Sequence, residues 1–298
     1  MSFVRRKIAL KFELGGAAEF ANPYGIAPSS SNTITITGSR AVVNITEGGG
    51  PGMGQAEVRV FGLTPSEMQR LSSLNQATQY VRNNKITILA GDDVNGMAVI
   101  FTGGINLSRM DMQAVPASSL YVMAWAGFLQ AVQPASPSSY PATAKVGVIM
   151  QNLATAAGLN FENWGVDQTL ATPYLPGALW EQIDRCAKAC IPPISYTLDR
   201  ETLAIWPQGG NRGGEIPLIS PDTGLVGYPG YATAAGGGGI AVTCVFNPAL
   251  RFGGQVQVQS ELQLANGTWK VFNLSHQLES EVPGGKWFSH FESDFYGY

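Results

Sequence analysis

The sequence has little charge. Lys, Arg, Asp and Glu make up 13% of the 298 residues and the net charge is −3, whereas a globular chain usually carries about 25% charged residues. Surfaces that bind nucleic acid or anionic lipid need clustered Lys and Arg, so the composition favours neither partner, and we expect no membrane binding by the chain itself. The surface must instead be covered by Ser, Thr, Asn, Gln and Gly, or by other subunits.

Cysteine and histidine are also scarce. The cysteines Cys186, Cys190 and Cys244 are odd in number and irregularly spaced, which argues against a disulfide framework. Because Cys186 and Cys190 are four apart in a predicted helix, we interpret them as small buried apolar residues. His276 and His290 lie in no Cys-x-x-Cys or His-x-x-x-His spacing, so we predict neither a metal site nor a cofactor.

The sequence contains neither a long apolar run nor a catalytic motif. No run of ~20 apolar residues is present to span a bilayer, and no Gly-x-Ser-x-Gly elbow occurs. The glycine-rich stretches EGGGPGMG and AAGGGGIA lack the Lys-Ser/Thr of a phosphate-binding loop. We therefore interpret both stretches as loops and predict that the chain is not an enzyme.

Three carboxylates near two tryptophans suggest one catalytic alternative. Glu279, Glu281 and Glu292, close in sequence to Trp269 and Trp287, contain the residue types of a glycosidase pair. Such a pair is defined by the distance between its carboxylates, which the sequence does not give. We expect solvated carboxylates at strand ends, and tryptophans in the core.

Residues 1–132 have the pattern of a first β module. KIALKFEL (7–14) alternates apolar and polar residues, and TITITGSRAVVNIT (33–46) indicates one or two strands bent at Gly38. Thr64 and Glu67 form a predicted capping box for a short helix. The strand pattern continues through SSLYVMAWAGFLQAV, which ends at residue 132.

Residues 133–207 have a different composition. A Pro/Ser linker precedes two segments with apolar residues at helical spacing, TAKVGVIMQNLATAAG and GALWEQIDRCAKAC. ISYTLDRETLAIWP then predicts a hairpin. We interpret this region as a linker and a small α/β module.

The strand pattern returns in residues 208–298, which predict a second β module. Its predicted strands lie in NRGGEIPL, GGGGIAVTCVF, GGQVQVQSELQL, GTWKVFNLSHQLES and GGKWFSHFES. The fold class is therefore mainly β with some α, as two small β-barrel modules with a small α/β module between them.

An uncharged polar strand face distinguishes the last module. Val256 and Val258 alternate with Gln255, Gln257 and Gln259, so one face is apolar and the other is polar without charge. A globular surface strand usually has Lys or Glu on its polar face.

The order of these elements resembles the baseplate hub family of bacteriophage tails, which is related to the ring part of spike proteins in contractile injection systems. Segments from the whole chain carry the resemblance, namely AEVRVFGLTPSEMQRL, ITILAGDDVNGMAVIFTGGI, LWEQIDRCAKAC, ISYTLDRETLAIWP, CVFNPALRFGGQVQVQS, GTWKVFNLSHQLES and WFSHFES. It implies tail-tube-like barrels and a structural virion protein of the tail baseplate, assembled in the host cytoplasm. No catalytic residues are implied, and we expect any spike to be a separate protein.

The resemblance also implies the partners. A homotrimer would present six barrels between a tail tube or distal tail protein above and the central spike below, beside baseplate wedge proteins. Tape-measure protein and DNA would pass through its channel. Because Lys and Arg on a channel wall would bind phosphate, we expect Gln255, Gln257 and Gln259 to face the channel or an adjacent subunit, and Arg251 to contact a subunit.

Two alternatives stay open. A carbohydrate-binding or cell-wall-cleaving tail module would need an exposed aromatic platform. The hub of a phage-like secretion machine would share all the sequence features of a virion hub.

Overall fold

The computed structural model describes residues 4–14, 33–72, 83–113, 117–232 and 238–295. The elements of the first half are β1 (Arg6–Glu13), β2 (Thr33–Thr37), β3 (Ala41–Glu47), β4 (Gln55–Phe61), α1 (Pro65–Leu71), β5 (Lys85–Asp92), β6 (Gly96–Asp111), β7 (Ser119–Trp125), α2 (Phe128–Val132), β8 (Ser138–Ser139), β9 (Ala144–Lys145) and α3 (Val146–Ala156). The second half contains β10 (Asn160–Asn163), β11 (Thr169–Leu170), β12 (Tyr174–Leu175), α4 (Leu179–Ala189), β13 (Ile194–Asp199), β14 (Thr202–Pro207), β15 (Leu218–Ile219), β16 (Gly230–Ala232), β17 (Gly239–Val245), β18 (Gln255–Val258), β19 (Gly267–Ser280) and β20 (Trp287–Phe295), with 3-10 turns at Pro221–Thr223 and Gln263–Ala265.

The chain divides into two compact units. As far as their ranges are described, the first covers Met1–Asn44, Gln55–Leu129 and Leu278–Lys286, and the second covers Ile45–Gly54, Gln130–Gln277 and Trp287–Tyr298. The predicted division into three modules at residues 132 and 207 stays a prediction.

The first unit is an antiparallel sheet in the order β4-β7-β6-β5-β1-β2. Its strands alternate because every second residue points into the core. The residues buried in this way include Ile8, Leu10 and Phe12 of β1, Val58 and Val60 of β4, Ile86 and Ile88 of β5, and Leu120 and Val122 of β7.

The capping box of the first unit is confirmed. Thr64 Oγ1 accepts a hydrogen bond from the backbone N–H of Glu67, whose carboxylate accepts the Thr64 N–H at 2.8 Å. The prediction that the strand pattern continues to residue 132 is wrong. β7 ends at Trp125, and Gly127 has a φ of 82°, which turns the chain into α2 instead of extending the strand.

The second unit contains the predicted helices and hairpin. α3 buries Val146, Ile149 and Leu153 at helical spacing. β13 and β14 pair antiparallel, and β10 lies parallel to β14. The two-residue turn of the hairpin has positive φ at both Arg200 and Glu201, the geometry that matches the twist of the flanking strands.

The remaining strands of the second unit follow the order β16-β17-β20-β19-β18-β15. Their core contains Ile240, Val242, Val256, Val258, Trp269, Val271, Leu274 and Phe291. The strand predicted in NRGGEIPL is wrong for all but its last residue, since β15 begins at Leu218.

The fold is mainly β, as predicted. Among the described residues, no strand pairing joins the two ends of either strand set. The barrel form of the modules therefore stays a prediction.

Candidate functional site

The predicted alternation of β18 is confirmed. Val256 and Val258 are fully buried, Gln255 is half-buried, and Gln257 and Gln259 are exposed. The strand ends at Val258, and Gln259 follows it with its N–H donated to the Ile219 carbonyl at 2.9 Å. The exposed side of β18 is therefore polar and uncharged.

Residues 247–254, the segment that leads into β18, are held by close local contacts. Asn247 Oδ1 accepts the N–H of Ala249 at 2.9 Å, a side-chain turn typical of Asn. Gly253 has a φ of 75°, and a Cβ there would lie 2.5 Å from the Trp206 ring. Only glycine fits this position without displacing the indole.

Six charged side chains of the second unit form a cluster beside this segment. Its members come from five separate stretches of chain: Glu47, Glu162, Asp199, Arg200, Arg212 and Arg251. We call this group the arginine–carboxylate cluster. Buried charges persist when they are paired, and the cluster has three of each sign.

Arg212 and Arg200 are the closely paired cations of the cluster. Arg212 is 1% exposed; its Nη1 lies 2.8 Å from Asp199 Oδ2, and its Nε and Nη2 both lie 3.1 Å from Glu162 Oε2. Arg200 Nε lies 3.2 Å from Asp199 Oδ1, and Arg200 also donates to the Pro248 carbonyl at 2.9 Å. These contacts tie the β13–β14 turn to the segment before β18.

Glu47 is the first residue of the cluster in the sequence, a buried acid whose environment changes its pKa. Burial, followed by the nearby Asp199 carboxylate, raises its pKa to about 7. Arg200, Arg212 and the Phe252 N–H, which donates to Glu47 Oε2 at 3.1 Å, oppose this shift without cancelling it. Burial therefore favours the protonated form of Glu47 more than it is favoured in an exposed glutamate.

Arg251 is the loosely paired member. Its Nη1 lies 3.9 Å from both Glu162 Oε1 and Asp199 Oδ2, and its side chain is 39% exposed. Burial and the neighbouring Arg212 and Arg200 cations lower its pKa. Arg251 thus extends from the cluster towards solvent.

A cleft of about 280 Å³ opens over Arg251, and its wall includes Glu162, Trp164, Glu215, Gly254 and Gln255. The Trp164 Nε1–H donates to Glu162 Oε2 at 3.2 Å. A Cβ at Gly213 would lie 2.3 Å from the Trp164 ring, so the indole packs directly on this backbone. The lining of the cleft therefore combines an aromatic ring with charged and polar side chains.

The structure brings together two of the four predicted site residues. Arg251 and Gln255 share the cleft, whereas Gln257 and Gln259 do not line it. Sequence analysis missed Glu162 and Arg212. The only sequence signal for Arg212 is an isolated cation within the glycine-rich NRGG.

The tryptophans and cysteines considered in the sequence analysis are buried, and Glu281 is paired with an arginine. Trp269 and Trp287 are buried, as predicted. All three cysteines are buried and free, which confirms the interpretation of Cys186 and Cys190. Glu281 accepts both Nε–H and Nη2–H of Arg5 in the first unit.

His276 is fully buried and shares a 2.8 Å hydrogen bond between its Nδ1 and Ser289 Oγ. Burial, followed by the Arg200 charge, lowers its pKa to about 3. In the part of the chain that the structure describes, no group of three or more His, Cys, Asp or Glu is placed to hold a metal ion. In the same part, no helix is long and apolar enough to cross a bilayer.

Comparison with known proteins identifies the family. The family model described as "Baseplate hub gp41" matches residues 30–283, most of the chain. The chain belongs to the baseplate hub gp41 family. The resemblance read from the sequence is thereby confirmed, although no curated protein sequence matches this hub significantly.

Solved structures share the fold of this hub at low sequence identity. The tail protein from Neisseria meningitidis MC58 has a TM-score of 0.61 at 10% identity, with 96% of each chain covered. The 43 kDa tail protein of prophage MuSo2 from Shewanella oneidensis has a TM-score of 0.60 at 10% identity, covering 97% of this chain and 96% of that one.

A third similar structure comes from a secretion machine. The E. coli c3393 protein, described as a type VI secretion component similar to the T4 tail proteins gp27 and gp5, has a TM-score of 0.58 at 9% identity. It covers 87% of this chain, which spans 75% of its length. At these identities the comparisons show a common fold.

Proposed function

We propose that the chain is a structural, non-catalytic subunit of a tail baseplate hub, which assembles as a homotrimer between the tail tube or distal tail protein and the central spike. The family match over residues 30–283 carries this proposal. The charge content of 13% supports it, because a surface that is covered by other subunits needs few charges. Baseplate wedge proteins are the expected lateral partners.

The ring in this proposal is based on the division of the chain into two compact units. The chain has two compact units, each with its own antiparallel strands. If each unit supplies one tail-tube-like barrel, a trimer presents six, which matches a sixfold tube on one side and a threefold spike on the other.

In this proposal the exposed side of β18 faces the channel or the adjacent subunit. Gln257 and Gln259 are exposed and uncharged. A channel wall without Lys or Arg lets tape-measure protein and DNA pass without binding phosphate. The alternative placement, against a neighbouring copy, suits the same residues because a neutral polar surface costs less to desolvate than a charged one.

Native mass spectrometry tests the assembly. We expect a species of three times 31.6 kDa, formed by the chain alone or after mixing with its spike protein. A chain that stays monomeric with both spike and tube proteins contradicts the trimer.

Thiol labelling of Gln257→Cys and Gln259→Cys tests where β18 faces. The native cysteines are buried, so the wild-type chain is the background control. In the trimer, a channel position should react with a small maleimide and be protected from a bulky polymer-linked maleimide. A subunit interface should be protected from both reagents, and labelling by both reagents contradicts the proposal.

A second candidate function is glycan binding by the cleft. Trp164 is 39% exposed at its wall, and an exposed aromatic ring beside carboxylates is a surface on which sugars can stack. Titration with cell-wall oligosaccharides tests this candidate. Saturable binding that Trp164→Ala abolishes supports it, and the same weak response in both proteins rejects it.

A further inference from the structure

The arginine–carboxylate cluster pairs its cations unequally. Arg212 and Arg200 have carboxylate oxygens within 3.2 Å, whereas the nearest carboxylates to Arg251 are 3.9 Å away. Those same two carboxylates already accept hydrogen bonds or close ion pairs from Arg212. The guanidinium of Arg251 therefore has donors that the cluster does not use at hydrogen-bond distance.

The electrostatic environment of Arg251 favours a further anion. Burial, followed by repulsion from the Arg212 and Arg200 cations, lowers the pKa of Arg251, and the Asp199 and Glu162 carboxylates only partly oppose this shift. Burial raises the pKa of Glu47, so this acid, which is paired with Arg200, holds its negative charge less readily than an exposed glutamate. One additional negative charge at Arg251 would reduce this repulsion.

The cleft gives such a group access to Arg251. Its volume of about 280 Å³ is several times the ~30 Å³ share of a water molecule, enough for one inserted side chain. Its lining includes Gly254, which has no side chain, and Gln255, whose amide can donate hydrogen bonds.

Two acidic side chains also face the cleft. Glu162 Oε2 is already held by Arg212 and by the Trp164 N–H. Glu215 is exposed, so water and salt screen its charge. Neither carboxylate approaches Arg251 within 3.9 Å.

We propose that Arg251 binds the carboxylate of an Asp or Glu side chain that a second copy of this chain inserts into the cleft. This inference rests on the proposed homotrimer and specifies one of its contacts. Two observations favour a second copy as the source. The neutral surface of Gln257 and Gln259 continues from the cleft along β18, and this complements a chain that itself carries few charges and a net acidic balance. An acid from another copy would meet, at Arg251, a guanidinium whose donors no carboxylate of its own chain reaches at hydrogen-bond distance.

The first test compares charge variants by native mass at fixed protein concentration. We expect Arg251→Glu to raise the concentration needed for half-assembly at least tenfold, Arg251→Gln to have a smaller effect, and Arg251→Lys to retain most assembly. Arg185→Glu, at an exposed arginine of α4 in the same unit, is the matched control and should assemble like wild type. Circular dichroism melting of each monomer separates lost assembly from lost folding.

The second test identifies the acid. The lysine introduced by Arg251→Lys can be joined to a contacting carboxylate by a carbodiimide, which activates the acid, forms the amide and releases a urea. With a mixture of light and 15N-labelled chains, we expect mixed-isotope peptides that join position 251 to an Asp or Glu of another copy. Products with Glu162 or Asp199 of the same chain are the internal positive control.

The outcomes separate the two proposals. A trimeric wild type whose Arg251→Glu variant assembles equally well, with crosslinks only inside one chain, overturns the carboxylate site and leaves the hub proposal standing. A wild type that never assembles overturns both. If acetate or a glutamate peptide binds the monomer saturably in a titration, Arg251→Gln abolishes that binding and Arg251→Glu leaves assembly unaffected, the cleft is a small-anion site and the second-copy proposal is wrong.

Discussion

Arg212 and Asp199 form a buried ion pair, in which Arg212 Nη1 lies 2.8 Å from Asp199 Oδ2 and the two side chains are 1% and 6% exposed. The backbone N–H of Arg212 also donates to the Gly253 carbonyl at 2.7 Å. The pair therefore joins the β13–β14 hairpin to the segment that enters β18. Arg251 lies in that segment, and Gln255 comes directly after it. The position of the proposed contact surface therefore depends on this internal pair.

Removing Arg212 should destabilise the second unit strongly. Arg212→Met leaves Asp199 buried without its closest cation, and breaking a buried ion pair in this way costs about 3–5 kcal/mol. Guanidinium unfolding of the isolated chain measures this change. Arg185→Met, at an exposed position, should stay within about 0.5 kcal/mol of wild type.

A double substitution tests whether the lost partner is the cause. In Arg212→Met combined with Asp199→Asn, the uncompensated acid is gone, so we expect the combined loss to be smaller than the sum of the two single losses. Additive losses would show that the two side chains act independently.

Glu47 should make the folded state less stable as the pH rises. Its folded pKa of about 7 lies above its ordinary value of 4.5, so between these values the folded state holds a proton that the unfolded state has lost. The free energy of unfolding then falls from about pH 4.5 to about pH 7. Glu47→Gln keeps an oxygen acceptor for the Phe252 N–H and should flatten this part of the stability profile.

Denaturation midpoints from pH 4 to 8, at one protein concentration, measure the effect of Glu47→Gln. Glu181→Gln, on the exposed side of α4, is the matched control and should leave the profile unchanged. An identical slope in the Glu47 and Glu181 variants would contradict the assignment of this titration to Glu47.

His276 should make the folded state less stable as the pH falls, which is opposite to the effect of Glu47. Its folded pKa of about 3 lies below its ordinary value of 6.5, so as the pH falls through this interval the unfolded state gains a proton that the folded state does not bind. The free energy of unfolding therefore decreases towards acid pH. His276→Asn, whose amide can still bond Ser289, should lose this dependence, although its smaller side chain lowers stability at neutral pH.

The pH ranges in which Glu47 and His276 affect stability overlap, so substituting both residues gives a more specific test than either substitution alone. In wild type the effects of Glu47 and His276 oppose each other between about pH 4.5 and 6.5. We expect Glu47→Gln to steepen the loss of stability towards acid pH, because the His276 contribution is then no longer offset. Unfolding midpoints of the two single variants and the double variant separate the contributions.

The sequence was sufficient for features that adjacent residues determine. The capping box at Thr64 and Glu67 needs only two side chains three positions apart, and the alternation around Val256 and Val258 follows from the two-residue repeat of a strand. The end of β7 near Gly127 was missed because an apolar run continues through it, so that only the positive φ of that glycine distinguishes a turn from a strand.

The arginine–carboxylate cluster could not be predicted in this way. Glu47 and Arg251 are separated by some two hundred positions in the sequence, and only the packing of the hairpin and the β18 segment brings them together. The exposed glutamines were recognised from their pattern, but Arg251 acquired a physical role only when its distances to the carboxylates were known. Long-range pairing of this kind leaves no periodic signal along the chain.

The close packing of Gly253 on Trp206 gives the last prediction. Gly253→Ala combines an unfavourable φ of 75° with a Cβ placed 2.5 Å from the indole, so the ring or the backbone must move. Gly209 has a similar φ of 79°, and no atom lies within 4 Å of its ideal Cβ. Gly209→Ala is therefore a control that contains the backbone strain, about 1–2 kcal/mol, without the steric clash.

We expect Gly253→Ala to lower the unfolding free energy by a further 1–3 kcal/mol, about the cost of overpacking a core. It should also weaken trimer assembly, because the segment that contains Arg251 and leads to Gln255 shifts. Equal losses in the two variants would show that the indole accommodates the methyl group and that this segment is not fixed by Trp206.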